Sequence, residues 1–479
     1  MGTWKTAGVT SVVIVGGGPG GYEAALTAAQ LGAEVTLVEA DALGGAAVLT
    51  DCVPSKTLIA TAEVLNTMAN SLELGLSVAE TGDDNTVMSS VRVDLAAVNR
   101  RVKHLAQQQS EDITRTLRSA GVHLVQGTGR LAGAGKVLVQ QADGQEQTLD
   151  ADVVLLAVGT HPRELPDAMP DGERILNWKQ LYDLDELPER LIVVGSGVTG
   201  VEFAGAYDAL GSDVVLVSSR DLVLPGEDHD AGQVLQDVFE RGGMTVMSRS
   251  RAQSAQRTED GVTLTLTDGR EVSGSHLLLA VGSIPNTEGV GLQDSGIALD
   301  ERGFITVDRV SRTSLRGVYA AGDCTGVHAL ASVAAMQGRI AMFHALGDAV
   351  EPLDLTKVAS NVFTAPEIAT VGVTQDDVDN GRTRAIGVKL PLRSNARAKM
   401  QSITAGFVKV FCLPTTGIIV GGVVVAPHAS ELIHPLSLAV AERITVESFA
   451  KDFTVYPSLS GSLAEAARLL RDHAETKLH

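Results

Sequence analysis

Val12-Val13-Ile14-Val15-Gly16-Gly17-Gly18-Pro19-Gly20-Gly21 decides the fold: a short β-branched run breaks on a glycine cluster, and small residues continue as a helix from Tyr22 to about Leu31. Val35 to Glu39 follows as a second apolar run, so the order is strand, glycine turn, helix, strand. In that context Gly16 allows the tight turn, Gly18 lets the backbone approach a pyrophosphate, and Gly21 lets helix and strand pack closely. The helix N-terminus adds a positive field. Glu39 stands 23 positions after Gly16, where a carboxylate accepts from ribose hydroxyls.

The arrangement recurs. Leu191 to Val194 leads into Gly195-Ser196-Gly197-Val198-Thr199-Gly200, then a helix to about Leu210 and a strand from Val214 to Val217, with Gly195 lying 179 positions after Gly16. One such turn is a weak signal, whereas two with their flanking elements predict two separate nucleotide sites. Helices are predicted from Ser55 to about Leu74 and from Val93 to Ala120, followed by β-rich segments ending in Ala157-Val158-Gly159-Thr160 and Ala280-Val281-Gly282-Ser283. Beyond about Glu351, strands and helices alternate without a glycine fingerprint, as in a third domain. Length agrees, since 479 residues at roughly 100 to 200 per domain gives about three.

Bulk composition excludes several classes. At 44% apolar, 20% charged and 50 glycines the chain is globular. Its net charge of −20 argues against a nucleic-acid or anionic-membrane surface. The opening MGTWKTAGVTS has no apolar core or cleavage site of a leader, and the apolar run from Ile418 to Pro427 is far short of the roughly 20 residues of a membrane span, so a cytoplasmic protein is expected. Three cysteines, Cys52, Cys324 and Cys412, fit a reducing compartment, and no metal site is expected.

Two further stretches complete a resemblance. Leu43-Gly44-Gly45-Ala46-Ala47-Val48-Leu49-Thr50-Asp51-Cys52-Val53-Pro54-Ser55-Lys56 resembles the redox segment of the flavoprotein disulfide reductases, the pyridine nucleotide-disulfide oxidoreductase family. Thr313-Ser314-Leu315-Arg316-Gly317-Val318-Tyr319-Ala320-Ala321-Gly322-Asp323 resembles that family's second FAD fingerprint. Within the family the chain is most similar to the dihydrolipoamide dehydrogenase-like NAD(P)H quinone reductases of actinobacteria that lack the first redox cysteine.

The resemblance implies an α/β fold of two Rossmann-like dinucleotide-binding domains plus a C-terminal α+β dimerisation domain. It divides the chain into 1-165 (FAD-binding, first part), 166-295 (NAD(P)-binding), 296-352 (FAD-binding, central part) and 353-479 (dimerisation). It assigns Gly16, Gly18, Gly21, Glu39, Gly44, Gly45, Lys56, Gly159, Gly322 and Asp323 to FAD, with Asp323 on the ribityl chain. Gly195, Gly197, Gly200 and Gly282 go to the nicotinamide dinucleotide. Glu202 is implied to pair with Lys56 beside the flavin ring, holding its electrostatics steady.

Nucleotide choice is read from the residues after the second βαβ unit. Counting 23 from Gly195 reaches Ser218, where an NAD-preferring site carries Glu or Asp, and Ser219 and Arg220 follow. Two hydroxyls and a guanidinium suit a 2′-phosphate, so NADPH is expected to be accepted alongside NADH; the competing reading is a solvated loop.

The thiol apparatus is incomplete. Ala47 stands where the family has its first cysteine, and a dithiol relay needs two sulfurs. Cys52, at a helix start with Lys56 nearby, is either a thiolate favoured by that setting or a small remnant. Near the C-terminus, Phe453-Thr454-Val455-Tyr456-Pro457-Ser458-Leu459-Ser460-Gly461 resembles the family's His-Pro-Thr tail, with Tyr456 replacing the catalytic histidine and Gly461 the glutamate that orients it. A phenol of pKa near 10 cannot do the histidine's work at neutral pH. Tyr456 either offers its hydroxyl to a quinone oxygen or packs at an interface.

The expected activity is therefore NAD(P)H:quinone oxidoreduction through FAD, with quinones or dyes as acceptors and no disulfide reductase activity, in a homodimer. Alternatives are a soluble pyridine nucleotide transhydrogenase, a peroxidase working through Cys52, and a non-catalytic FAD-bearing interaction or sensor protein.

Overall fold

The computed structural model describes residues 9–69, 71, 74–76 and 91–476. The opening eight residues read above for targeting, and part of the interval at the end of the first predicted interdomain helix, lie outside the described residues. The chain divides into two compact units, one of Met1–Ser55, Arg100–Arg163 and Gly282–Asp354, the other of Lys56–Asn99, Glu164–Val281 and Leu355–His479.

In the first unit, five strands form a sheet in the order Val318–Ala320, Val153–Leu156, Ser11–Val15, Glu34–Glu39, His123–Gln126, every pair parallel. A parallel sheet is covered on both faces, so its strands read as continuous apolar runs. Ser11–Val15 shows the consequence, because Val12 and Ile14 enter one core while Val13 and Val15 enter another on the opposite face. The helix Pro19–Gln30 starts with Gly18 at its N-cap and Pro19 in its first turn, a position where proline's fixed φ suits the helix. It packs against Ala331–Ala345 so closely that a Cβ on Gly338 would lie 2.1 Å from Gly20 O, and Arg339 clamps Glu23 through two bonds of 2.9 and 2.7 Å. That contact joins residues more than 300 positions apart.

The second unit holds a matching parallel sheet, Thr245–Met247, Asp213–Val217, Arg190–Val194, His276–Leu279, Ile175–Asn177. It also holds an antiparallel five-stranded sheet, Ala359–Val362, Glu367–Gly372, Ile419–Ala426, Phe407–Cys412, Ile386–Pro391, whose core includes Leu463, Ala466 and Leu470 of the last helix. The apolar run near residue 420 is thus a central strand, and no described helix is long and apolar enough to cross a membrane.

A buried ion pair links these two sheets' surroundings. Lys409 Nζ on Phe407–Cys412 reaches Asp228 Oδ2 at 2.7 Å and Asp230 Oδ2 at 2.8 Å, with Lys409 and Asp228 side chains 3% and 1% exposed. Asp228 also caps the helix His229–Gly242 through Asp230 N and Ala231 N. Removing the lysine strands a buried carboxylate, so Lys409→Met is expected to cost about 3–5 kcal/mol of stability. Denaturant unfolding of the variant checks this; a loss below ~1 kcal/mol would show that water reaches the pair.

Candidate nucleotide and redox sites

The two glycine turns are built alike. Gly16 has φ +100° and a Cβ there would lie 2.3 Å from Ala157 O; Gly195 has φ +112° and a Cβ 2.2 Å from Ala280 O. A Cβ on Gly21 would lie 1.8 Å from Gly16 O, and one on Gly200 1.8 Å from Gly195 O. No other residue fits these four positions, and each turn delivers its backbone N–H groups at the start of a helix, Pro19–Gln30 in one unit and Val198–Leu210 in the other.

Around the first turn the donors and acceptors of an FAD site converge. Glu39 Oε2 accepts from Gly17 N at 2.6 Å and its Oε1 from Asp41 N at 2.9 Å, and a carboxylate so held keeps lone pairs for ribose hydroxyls. Gly45 comes so near Gly18 that a Cβ would sit 2.7 Å from its Cα, bringing the Gly44-Gly45 loop to the same backbone. Asp323 receives Thr160 Oγ1 at 3.4 Å, and Gly322 N donates to Gln337 Oε1 at 2.8 Å. Burial, then the neighbouring Asp51 carboxylate, pushes the Asp323 carboxyl above its ordinary value. Gly159 has φ +65° and leaves open space where a side chain would stand. Among the described residues Thr50 Oγ1 is buried with no hydrogen-bond partner, an orphaned hydroxyl in the redox segment that a bound polar group would satisfy. These residues fit FAD.

In the second unit Lys56 Nζ lies 2.7 Å from Glu202 Oε2, and Glu202 is only 4% exposed. Phe363, which sequence reasoning left unassigned, serves both partners: its N–H donates to Glu202 Oε1 at 2.9 Å and its ring centroid lies 5.0 Å from Lys56 Nζ. Both carboxylate oxygens of Glu202 are thereby bonded. Only the aromatic type at Phe363 was visible beforehand, since its contact with Glu202 spans 161 positions. Gln337, which accepts from Gly322 N across 15 positions, carries no motif of its own in the sequence.

After the strand Asp213–Val217, Ser218 is fully buried, its hydroxyl 2.7 Å from Ser196 Oγ in the glycine turn and accepting from Arg220 N at 3.1 Å. Ser219 and Arg220 are exposed. Gly197 leaves open space at its missing side chain, while Gly282 belongs to the first unit, where Arg163 N donates to its carbonyl at 2.9 Å.

Cys52 opens the helix Cys52–Ala69, with Lys56 one turn along it. Cys324 and Cys412 are fully buried, and burial pushes each thiol up to about 11. At pH 8 their thiolate fraction is about 10⁻³, so alkylation of the native protein is expected to mark Cys52 alone, and all three cysteines after denaturation. Mass spectrometry reads the outcome; native labelling of Cys324 would contradict it. Phe453, Val455 and Tyr456 are 99%, 77% and 85% exposed, and Gly461 begins the last helix, its N–H donating to Ser458 Oγ at 3.1 Å.

Duplicated dinucleotide cradles, one flanked by FAD-type carboxylates and the other by a buried lysine–glutamate pair, define a flavin- and nicotinamide-dependent oxidoreductase. Residues 10–338 match the pyridine nucleotide-disulphide oxidoreductase family and residues 358–467 its dimerisation domain, and the chain belongs to that family. It is an oxidoreductase of the flavoprotein type, using FAD with NAD(P)H. The chain is 53% identical over 474 residues to the NAD(P)H dehydrogenase (quinone) of Mycobacterium tuberculosis, covering 97% of this chain and 94% of the relative. It is 34% identical over 460 residues to the dihydrolipoyl dehydrogenase of Chlorobaculum parvum, covering 95% and 96%. The crystal structure of LpdA from Mycobacterium tuberculosis superposes with a TM-score of 0.91 at 53% identity, covering 96% of this chain and all of that one.

Proposed function

We propose that this protein is an FAD-dependent NAD(P)H:quinone oxidoreductase that accepts hydride from NADPH or NADH and passes electrons to quinone or dye acceptors without a disulfide step. The observation that carries it is the sulfur count: Ala47 replaces one redox cysteine, and the two thiols other than Cys52 are sealed in cores. FAD, when bound, supplies a ring that takes up a hydride and releases electrons to an acceptor on its exposed face. The chain's own residues hold and tune it. Gly16, Gly18, Gly21, Glu39, Gly44, Gly45, Gly159, Gly322 and Asp323 bind, while Lys56 and Glu202 keep a fixed charge arrangement. Gly195, Gly197 and Gly200 seat the nicotinamide dinucleotide.

The curated name of the mycobacterial relative supports the quinone reading. On this reading the protein works as a cytoplasmic homodimer, which covers the exposed apolar residues Phe453, Val455 and Tyr456, and the domains run 1-165, 166-295, 296-352 and 353-479. The test is an acceptor screen on purified yellow protein with each nucleotide, comparing quinones, lipoamide, oxidised glutathione and thio-NAD. Quinones are expected to turn over and disulfides to remain untouched. Anaerobic mixing that fails to bleach the flavin with either nucleotide would overturn the proposal.

A further inference from the structure

At the end of the first unit's parallel sheet remote from its glycine turn lies a cavity of about 750 Å³. Val153 and Val318, each the first residue of its strand, line it, whereas Ala157 and Ala321, which back the glycine turn, follow the last residues of the same strands. Dinucleotides sit at the carboxyl ends of parallel strands, so this cavity is a separate place in the fold. Its size falls within the roughly 300–1,000 Å³ of small-molecule sites.

Most polar groups around it are already engaged. Asp152 Oδ2 accepts from Ser11 N at 2.9 Å and Ser11 Oγ at 3.0 Å. Asp308 Oδ1 accepts from Val310 N at 3.0 Å and Arg312 N at 2.9 Å, and its Oδ2 holds the Arg312 guanidinium at 2.6 Å. Two groups are left over. Arg316 stands exposed at the tip of a turn closed by Thr313 N to Val318 O and Val318 N to Leu315 O, both 3.1 Å, with Gly317 at φ +81°. Among the described residues its guanidinium has neither a hydrogen bond nor an ion pair, so the turn forms without that charge. His344, in the last turn of Ala331–Ala345, has Nδ1 2.9 Å from Tyr319 Oη. A phenol donating to Nδ1 puts the ring proton on Nε2, which leaves one N–H to offer. Val307 and Leu315, both half-buried, give the cavity apolar walls.

We propose that this cavity binds a small organic carboxylate with an apolar body, its charge on Arg316 and the His344 imidazole and its body against Val307 and Leu315. A planar guanidinium fork matches a carboxylate. Asp152 and Asp308 on the same walls oppose a second negative charge, which sets phosphate monoesters aside. The site goes beyond the quinone-reductase reading and needs neither nucleotide nor quinone.

Calorimetric titration of the flavin-loaded protein with diphenylacetate tests it, with uncharged diphenylacetamide and benzhydryl phosphate as controls. Diphenylacetate is expected to bind about fivefold more tightly than either control, and the margin over the amide to shrink with salt as exposed charge is screened. Arg316→Ala is expected to weaken diphenylacetate about fivefold, the upper range for an exposed ion pair, and to leave the amide unchanged. Ala298→Trp adds bulk at the cavity wall and is expected to weaken all three ligands. Both positions are exposed, so melting temperature and flavin content should match those of the wild type. In a crystal soaked with a brominated diphenylacetate, the anomalous bromine signal should fall in the cavity. Equal affinity for diphenylacetate and its amide, unchanged diphenylacetate binding in either variant, or a bromine signal confined to the flavin cradle overturns the proposal.

Discussion

Glu202→Ala is expected to slow reduction of the flavin by NADPH and NADH by about 100-fold or more, with the protein still yellow. The wild-type carboxylate is buried and doubly bonded, to Lys56 Nζ at 2.7 Å and to Phe363 N at 2.9 Å. Its loss leaves the ammonium without its buried counter-charge and an amide without an acceptor; breaking such a pair costs about 3–5 kcal/mol, which falling wholly on the barrier corresponds to roughly 10²–10⁴ in rate. Lys56→Met is expected to do comparable damage. Because both substitutions destroy one unit, the double variant Lys56→Met with Glu202→Ala should be no slower than either single one. Anaerobic stopped-flow measures all three, and near wild-type bleaching in Glu202→Ala would remove the pair from the reaction.

The second large effect separates the two cradles. In Gly21→Ala the new Cβ would fall 1.8 Å from Gly16 O, a backbone atom that cannot yield without opening the turn. Overpacking of this kind typically costs about 1–3 kcal/mol even where side chains give way. The variant is expected to purify with little or no flavin. Gly200→Ala meets the same 1.8 Å conflict at Gly195 O, yet sits in the other unit. It should stay yellow and be bleached by dithionite, while NAD(P)H reduces it at least ~10-fold more slowly. Equal flavin loss in both variants would contradict the assignment of one cradle to each nucleotide.

Much of this was legible in the chain because it is local. Val12 to Val15, Gly16, Gly18, Gly21 and Glu39 occupy one βαβ unit, where glycine spacing and a continuous β-branched run carry the meaning within about 30 residues. The strand found at Ser11–Val15 and the helix at Pro19–Gln30 differ from the expected ones only at their ends, where the N-cap position of Gly18 sets the helix start. The missing sulfur at Ala47 was legible too, since it is a matter of residue type.

What escaped is long-range. Nothing around Phe363 announces that its amide and ring hold Glu202 and Lys56. Ser218 illustrates a different failure. A hydroxyl at a ligand-facing position in the count of residues is turned inward by a bond to Ser196, a choice between partners that spacing cannot resolve. Arg339 with Glu23 likewise depends on one helix laying itself across another.

On the proposed function, electrons leave this protein without passing through paired sulfurs. Steady-state turnover of wild type and Cys52→Ser with a small quinone and with dihydrolipoamide tests it most directly. Quinone reduction by both proteins is expected within about threefold of each other, a barrier difference below ~0.7 kcal/mol, with no dihydrolipoamide oxidation above background. Sustained dihydrolipoamide oxidation by the wild type, or collapse of quinone turnover in Cys52→Ser, would contradict it.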